Sequence, residues 1–165
     1  MHSEAFEFAR RCTEHLPSAL ETVEFGSKDI NGSVRSLLEW RGPYVGIDWY
    51  EGPGVDVQAD AREYPTTHPV DVVVCMETAE HCPTPEALIE NAWHVLKRGG
   101  LLIFTAAAPP RQEHSGLDGG PLRDDEYYAN IEPNDLRKWL DQRWAILRFE
   151  YHSGRGDVYA LARKL

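Results

Sequence analysis

The seven residues Val70-Asp71-Val72-Val73-Val74-Cys75-Met76 constrain the fold more than any other stretch, because one acid alone interrupts an otherwise apolar run. A strand with one wet face alternates polar and apolar side chains. This one does not, so both of its faces must be covered, as in a parallel sheet sandwiched by helices. A covering helix follows directly. Thr84 and Pro85 suit the cap and first position of a helix. Leu88, Ile89, Ala92, Trp93, Val95 and Leu96 form its apolar stripe. Lys97 and Arg98 favour its negative end, and Gly99-Gly100 is the expected stop.

The same pattern extends along the chain. Ala5, Phe8, Ala9, Cys12 and Leu16 share one helical face, so residues 1–20 are expected to form a helical cover lying against the edge of the fold. "LETVEF", "YVGIDW", "GVDVQADA" and "LLIFTAAA" each contain a strand, and Gly32 to Trp40 reads as a helix burying Val34, Leu37 and Leu38. Residues 109–132 form an irregular stretch that is long by the standards of compact domains. Pro133 opens a last helix through Leu140, and "AILRFEYHSGRGDVYALARKL" reads as a hairpin around "SGRG". Alternating strands and helices make an α/β fold with a mostly parallel sheet. The 165 residues suit one domain, 1–165, with no repeat or linker.

Charge and cysteine usage exclude several classes. The formal net charge is -10, and the basic pairs Arg10-Arg11, Lys97-Arg98 and Arg163-Lys164 are scattered, so nucleic acid is disfavoured as a partner. No apolar run is long enough to span a bilayer, and "MHSEAFEFARRC" lacks a signal-peptide core, so the expected compartment is the cytoplasm. Cys12, Cys75 and Cys82 show no CxxC spacing. Cys75, His81, Cys82 and His94 match no zinc pattern, so no metal is expected.

In open sheets of this kind, ligands gather beyond the carboxyl ends of the strands, and the suggestive residues fall there. Glu24 is near the end of the first strand, and Gly26 lets the backbone turn without a Cβ. Asn31 and Gly32 are expected to begin a helix whose N–H groups attract an anion. Asp48 ends the second strand, where an acid can accept from both hydroxyls of a ribose. Asp60 follows the third, within reach of an adenine amino group.

Together these segments, through "DVVVCMETAEHCPTPEALIENAWHVLKRGGLLIFT", resemble the class I S-adenosylmethionine-dependent methyltransferases, the small single-domain type with a central block near ExxEHxxxPxxxLxxxxRxLkpGG. The resemblance covers about Thr22 to Leu140 and is most specific from Glu77 to Gly100. It implies a Rossmann-like sheet of about seven strands, closed by an antiparallel hairpin, with S-adenosyl-L-methionine as cofactor. By position, Glu24 and Gly26 fall in the motif that meets the methionine part, and Asp48 is the ribose acid. Trp49 would cover the adenine, Asp60 and Ala61 would meet its edge, and Glu77 stands where cofactor and acceptor meet. Two departures are visible. Lys28 and Ile30 occupy places the family gives to glycine, with Gly32 two residues later. The links from Asp48 to Val55 and after Asp60 are too short for ordinary crossover helices, so some helices are expected to be shortened or absent.

For the acceptor, His81 and His114 are the candidate catalytic bases. The 109–132 loop offers Arg111, Asp118, Arg123, Tyr127, Tyr128 and Asn130 for substrate binding. No NPPY or DPPY follows the fourth strand, and the acids of a metal-dependent catechol-type site are not visible. The expected acceptor is therefore a small molecule, through a hydroxyl of a metabolite or sugar. The alternative is a non-catalytic methyltransferase-like scaffold or cofactor-binding domain. The GxGxxG spacing of a nicotinamide dehydrogenase is absent.

Overall fold

A computed structural model describes residues 2–165. Its seven strands are β1 (Thr22–Phe25), β2 (Tyr44–Asp48), β3 (Val57–Gln58), β4 (Val70–Met76), β5 (Leu96–Ala107), β6 (Trp144–His152) and β7 (Asp157–Lys164). They form one sheet in the order β3-β2-β1-β4-β5-β7-β6. The pairs from β3 to β5 are parallel, and β7 runs antiparallel to both β5 and β6. This is the expected mostly parallel sheet with its terminal hairpin.

β4 is central, and Val72, Val73, Val74 and Cys75 are all at most 1% exposed. Their side chains alternate between two cores. Val73 and Cys75 join Phe25, Ile47, Phe104 and helix α3 (Pro85–Val95). Val72 and Val74 join Ile103, Tyr159 and helix α1 (Ser3–Thr13). Each fully buried large side chain here contributes about 1.5–3 kcal/mol. The short helix α4 (Pro133–Trp139) adds Leu136 to the α3 side.

Four local expectations are corrected. The first segment does not lie at an edge: α1 covers the sheet face over β4, β5 and β7, with Ala5 and Phe8 completely buried. Helix α2 spans Arg35–Leu38 and not Gly32–Trp40; a 3-10 turn at Glu39–Arg41 follows it. Gly32 has φ +121° and its N–H donates to Asp29 Oδ1 at 2.7 Å, so the chain is still turning there. Asn31 and Gly32 therefore begin no helix. Helix α3 stops at Val95, because Leu96 to Gly100 already belong to β5. Lys97 reaches back to Asp71 at 3.1 Å, and Gly99 takes φ +82° where β4 and β5 shift register. Thr84 occupies the α3 cap position without capping through its side chain; its Oγ1 accepts from Arg62 Nη1 at 2.7 Å.

The links between β2 and β3 and between β3 and β4 carry no α-helix, as their lengths implied. Among the described residues, no helix is long and apolar enough to cross a membrane.

Candidate functional site

The carboxyl ends of β1, β2 and β4 open onto one cleft of about 570 Å³, the size of a small-molecule site. The first wall is the turn after β1. Gly26 and Ser27 donate from their N–H groups to Ile47 O at 2.8 and 3.0 Å, which folds the turn across the tip of β2. Gly26 takes φ +76°. Ser27 Oγ lines the cleft, is buried, and has no hydrogen-bond partner among the described residues.

Asp48 closes β2 and faces the cleft. Its Oδ2 accepts from Lys28 N at 3.1 Å and its Oδ1 from Tyr50 N at 2.9 Å. Each carboxylate oxygen keeps a further lone pair for a ligand hydroxyl. Trp49, Ala61 and Arg62 lie on the same side, with the Arg62 guanidinium 4.9 Å from the Trp49 ring centre. Asp60 is turned elsewhere: its oxygens accept from Arg62 Nη2 at 2.7 Å and Nε at 3.0 Å, and it is absent from the cleft lining.

Glu24 is 4% exposed and accepts from Tyr44 O–H at 2.7 Å. Burial pushes its carboxyl up to about 7, against the opposing effects of the Tyr44 hydrogen bond and the Arg35 charge. Glu77, at the end of β4, has φ +52° and accepts from Thr105 Oγ1 at 2.9 Å.

The opposite wall is built by the long loop. Ala129 N donates to Glu80 O, and Ile131 N donates to Ala107 O, both at 2.8 Å, so residues 109–132 are tied back to β5 and to the turn after β4. Ser115, 1% exposed, donates to Glu126 Oε1 at 2.8 Å and holds the loop against itself. His81 and His114 meet here with ring centres 5.0 Å apart, and Tyr128 packs on both. Burial lowers His81 to about 4, with the nearby His114 adding to the effect. Glu80, fully buried, is pushed up to about 8 by burial and by Glu77.

The cleft thus gathers Glu24, Gly26, Asn31, Gly32, Asp48, Trp49, Ala61, Glu77, His81, Arg111, His114 and Tyr127 from the sequence expectation. Outside its lining are Asp60, Asp118, Tyr128 and Asn130. Asp118 is exposed and paired with Arg123; Tyr128 O–H donates to Asn130 Oδ1 at 2.9 Å, and Asn130 Nδ2 to Arg111 O at 2.9 Å. These last two position the loop. Arg62 and Thr78 went unremarked in the sequence, and Glu80 entered only as the second acid of the ExxEH block, with no role assigned to it. For Glu80 the signal was present: an acid directly before His81, in a turn that follows a buried strand.

Residues 31–104 match the family model described as a methyltransferase domain. A ubiquinone biosynthesis O-methyltransferase of Proteus mirabilis is 30% identical over 98 residues, covering 52% of this chain and 38% of its own length. The chain therefore spans well under two thirds of that relative. A Clostridium acetobutylicum S-adenosylmethionine-dependent methyltransferase superposes with a TM-score of 0.73 at 11% identity, covering 99% of this chain and 92% of its own. A Burkholderia thailandensis 1,6-didemethyltoxoflavin-N1-methyltransferase, solved with S-adenosylhomocysteine, gives 0.70 at 13% identity, with 97% and 78% covered. At such identities these structures establish the fold alone.

Proposed function

We propose, for a chain that belongs to the class I S-adenosylmethionine-dependent methyltransferases, that its cleft binds S-adenosylmethionine and passes the methyl group to a hydroxyl of a small metabolite or sugar. One observation carries this reading. Successive strand tips bring Gly26, Asp48, Trp49 and Ala61 to one wall of a single cleft, while His81 and His114 stand on the other.

In this reading the turn after β1 receives the methionine part of the cofactor. Asp48 accepts from the ribose hydroxyls, and Trp49 with Ala61 borders the adenine. The acceptor enters along the 109–132 loop, beside Arg111 and Tyr127. The acceptor oxygen then forms its bond to the methyl carbon in line with the breaking carbon–sulfur bond. Sulfur keeps the electron pair and leaves as the neutral thioether of S-adenosylhomocysteine. Alignment of this kind supplies roughly 7–11 kcal/mol of a bimolecular barrier. An attacking hydroxyl must also lose its proton, and the two imidazoles sit where that proton departs, which favours oxygen over nitrogen as the acceptor atom. The name of the Proteus relative, an O-methyltransferase, points the same way.

Calorimetry with S-adenosylmethionine and S-adenosylhomocysteine tests the first step. Saturable heat with both is expected. None with either overturns the proposal and leaves the fold as a scaffold. Asp48→Ala is expected to weaken cofactor binding by roughly 1.5–3 kcal/mol, the cost of losing hydrogen bonds to a charged group. Unchanged affinity in the folded variant removes Asp48 from the binding wall.

A further inference from the structure

We propose that Glu80, His81 and His114 form a site for a divalent transition-metal ion at the acceptor end of the cleft. One ligand atom from each of the three lies within 4.8 Å of the others. Two imidazoles and one carboxylate make a donor set that suits Zn²⁺, Co²⁺, Mn²⁺ or Fe²⁺, and three protein ligands leave coordination positions open.

Independent features of the side chains point to a ligand. Glu80 is 0% exposed; its Oε1 accepts from Ala107 N at 3.1 Å, while its Oε2 is buried with no hydrogen-bond partner among the described residues. A buried carboxyl oxygen withdrawn from water normally finds a hydrogen-bond partner or a ligand. One imidazole is also held from behind by a main-chain carbonyl: His114 Nδ1 lies 3.2 Å from Gln112 O. An imidazole that donates one N–H to a carbonyl presents its other nitrogen as a lone pair, the usual arrangement around metal-ligating histidines.

Donors around an ion at about 2.1 Å are separated by about 3.4 Å in a tetrahedral site, so the cluster must close slightly on binding. His114, partly exposed on an irregular loop, is the member free to move. Of the four residues considered from sequence, His81 alone belongs to this site: Cys75 and Cys82 are buried thiols outside it, and His94 pairs with Glu90 at 3.1 Å on the outside of α3.

Binding of the ion stands on this geometry alone, whereas its chemical role rests on the methyl-transfer reading. An ion here would take the acceptor oxygen at an open position and make its O–H more acidic. The proton leaves to solvent, and the oxygen's electron pair attacks the methyl carbon as sulfur departs. With the ion bound, His81 and His114 serve as its ligands; without it, they take the acceptor's proton as in the methyl-transfer reading.

The test uses chelator-treated full chain without cofactor, titrated with Co²⁺ and followed by visible absorption, with Zn²⁺ as competitor by calorimetry. One saturable ion per chain is expected, with affinity reduced roughly 100-fold or more in His114→Ala and in Glu80→Gln. His114→Ala is the safer variant, since its side chain lies outside both cores. No saturable uptake by folded wild-type protein overturns the site, as does wild-type affinity in His114→Ala. Cofactor calorimetry on the same preparations separates the two readings. Cofactor binding without ion binding removes the metal site alone, and ion binding without cofactor binding removes the methyl-transfer reading alone.

Discussion

Gly26→Ala is expected to lower stability by about 2–5 kcal/mol and to take cofactor binding with it, adding the cost of a left-handed backbone to that of overpacking. The backbone there has φ +76°, a conformation that disfavours any Cβ. A Cβ would lie 2.7 Å from Thr78 Cβ and closer still to Thr78 Oγ1 and Cγ2. Thr78 cannot simply rotate away, because its single O–H is shared between Met76 O at 3.0 Å and Phe25 O at 3.3 Å. The collision therefore pushes apart the tips of β1 and β4, between which the cofactor wall is built. A double variant separates the two costs. Gly26→Ala with Thr78→Gly should recover the steric part and keep the backbone part, leaving a loss of about 1–2 kcal/mol relative to Thr78→Gly alone. Urea midpoints read both; a single variant as stable as wild type would show that the turn does not need this conformation.

That steric argument also shows what a sequence reader could and could not see. The glycine turn, the β4 run and the α3 stripe were legible because each depends on local pattern: Gly26 meets a backbone demand of its own turn, and Val72 to Cys75, Leu88, Ile89, Ala92 and Val95 satisfy burial within their own segments. The end of α3 was not, since Leu96 fits the helical stripe and the strand equally, and its pairing with Val70 decides the outcome. Helix α2 shrank because a one-turn helix gains little from propensity once Asp29 and Gly32 hold the preceding chain in a turn. Asp60 was placed correctly at a strand tip, yet Arg62, two residues on, draws its carboxylate away from the cleft. Glu80, quoted within the ExxEH block but given no role, is the instructive case. Its environment depends on a loop that returns some fifty residues later to deliver the Ala129 N–H bond. Long-range return of chain is what local pattern does not encode.

Glu24 should make the protein less stable as pH rises from about 5 to 8, by about 3 kcal/mol for a carboxyl moved from 4.5 to about 7. The sign follows from proton counts. Between those values the folded chain holds a proton at Glu24 that the unfolded chain has released, so stability falls as pH rises. The contribution is complete below pH 4.5 and is lost as pH passes through 7. Burial is the cause, and the groups facing Glu24 are Tyr44, Arg35, Asp48 and Asp29, with the acids opposing its ionisation. Other buried acids such as Glu80 add their own slope, so the measurement is the difference between wild type and Glu24→Gln across the range. Glutamine stays neutral and still accepts from Tyr44 O–H, so the variant should gain on wild type above pH 7. Parallel stability curves would exclude Glu24 as the source. The same carboxyl borders the cleft that the proposed function gives to a cationic cofactor. A nearby positive charge favours the carboxylate, so S-adenosylmethionine binding near pH 6 should release a proton. Calorimetric heats should then depend on the ionisation enthalpy of the buffer in wild type and much less in Glu24→Gln. Equal buffer dependence in both would place the cofactor's charge away from Glu24, even if the cleft still binds it.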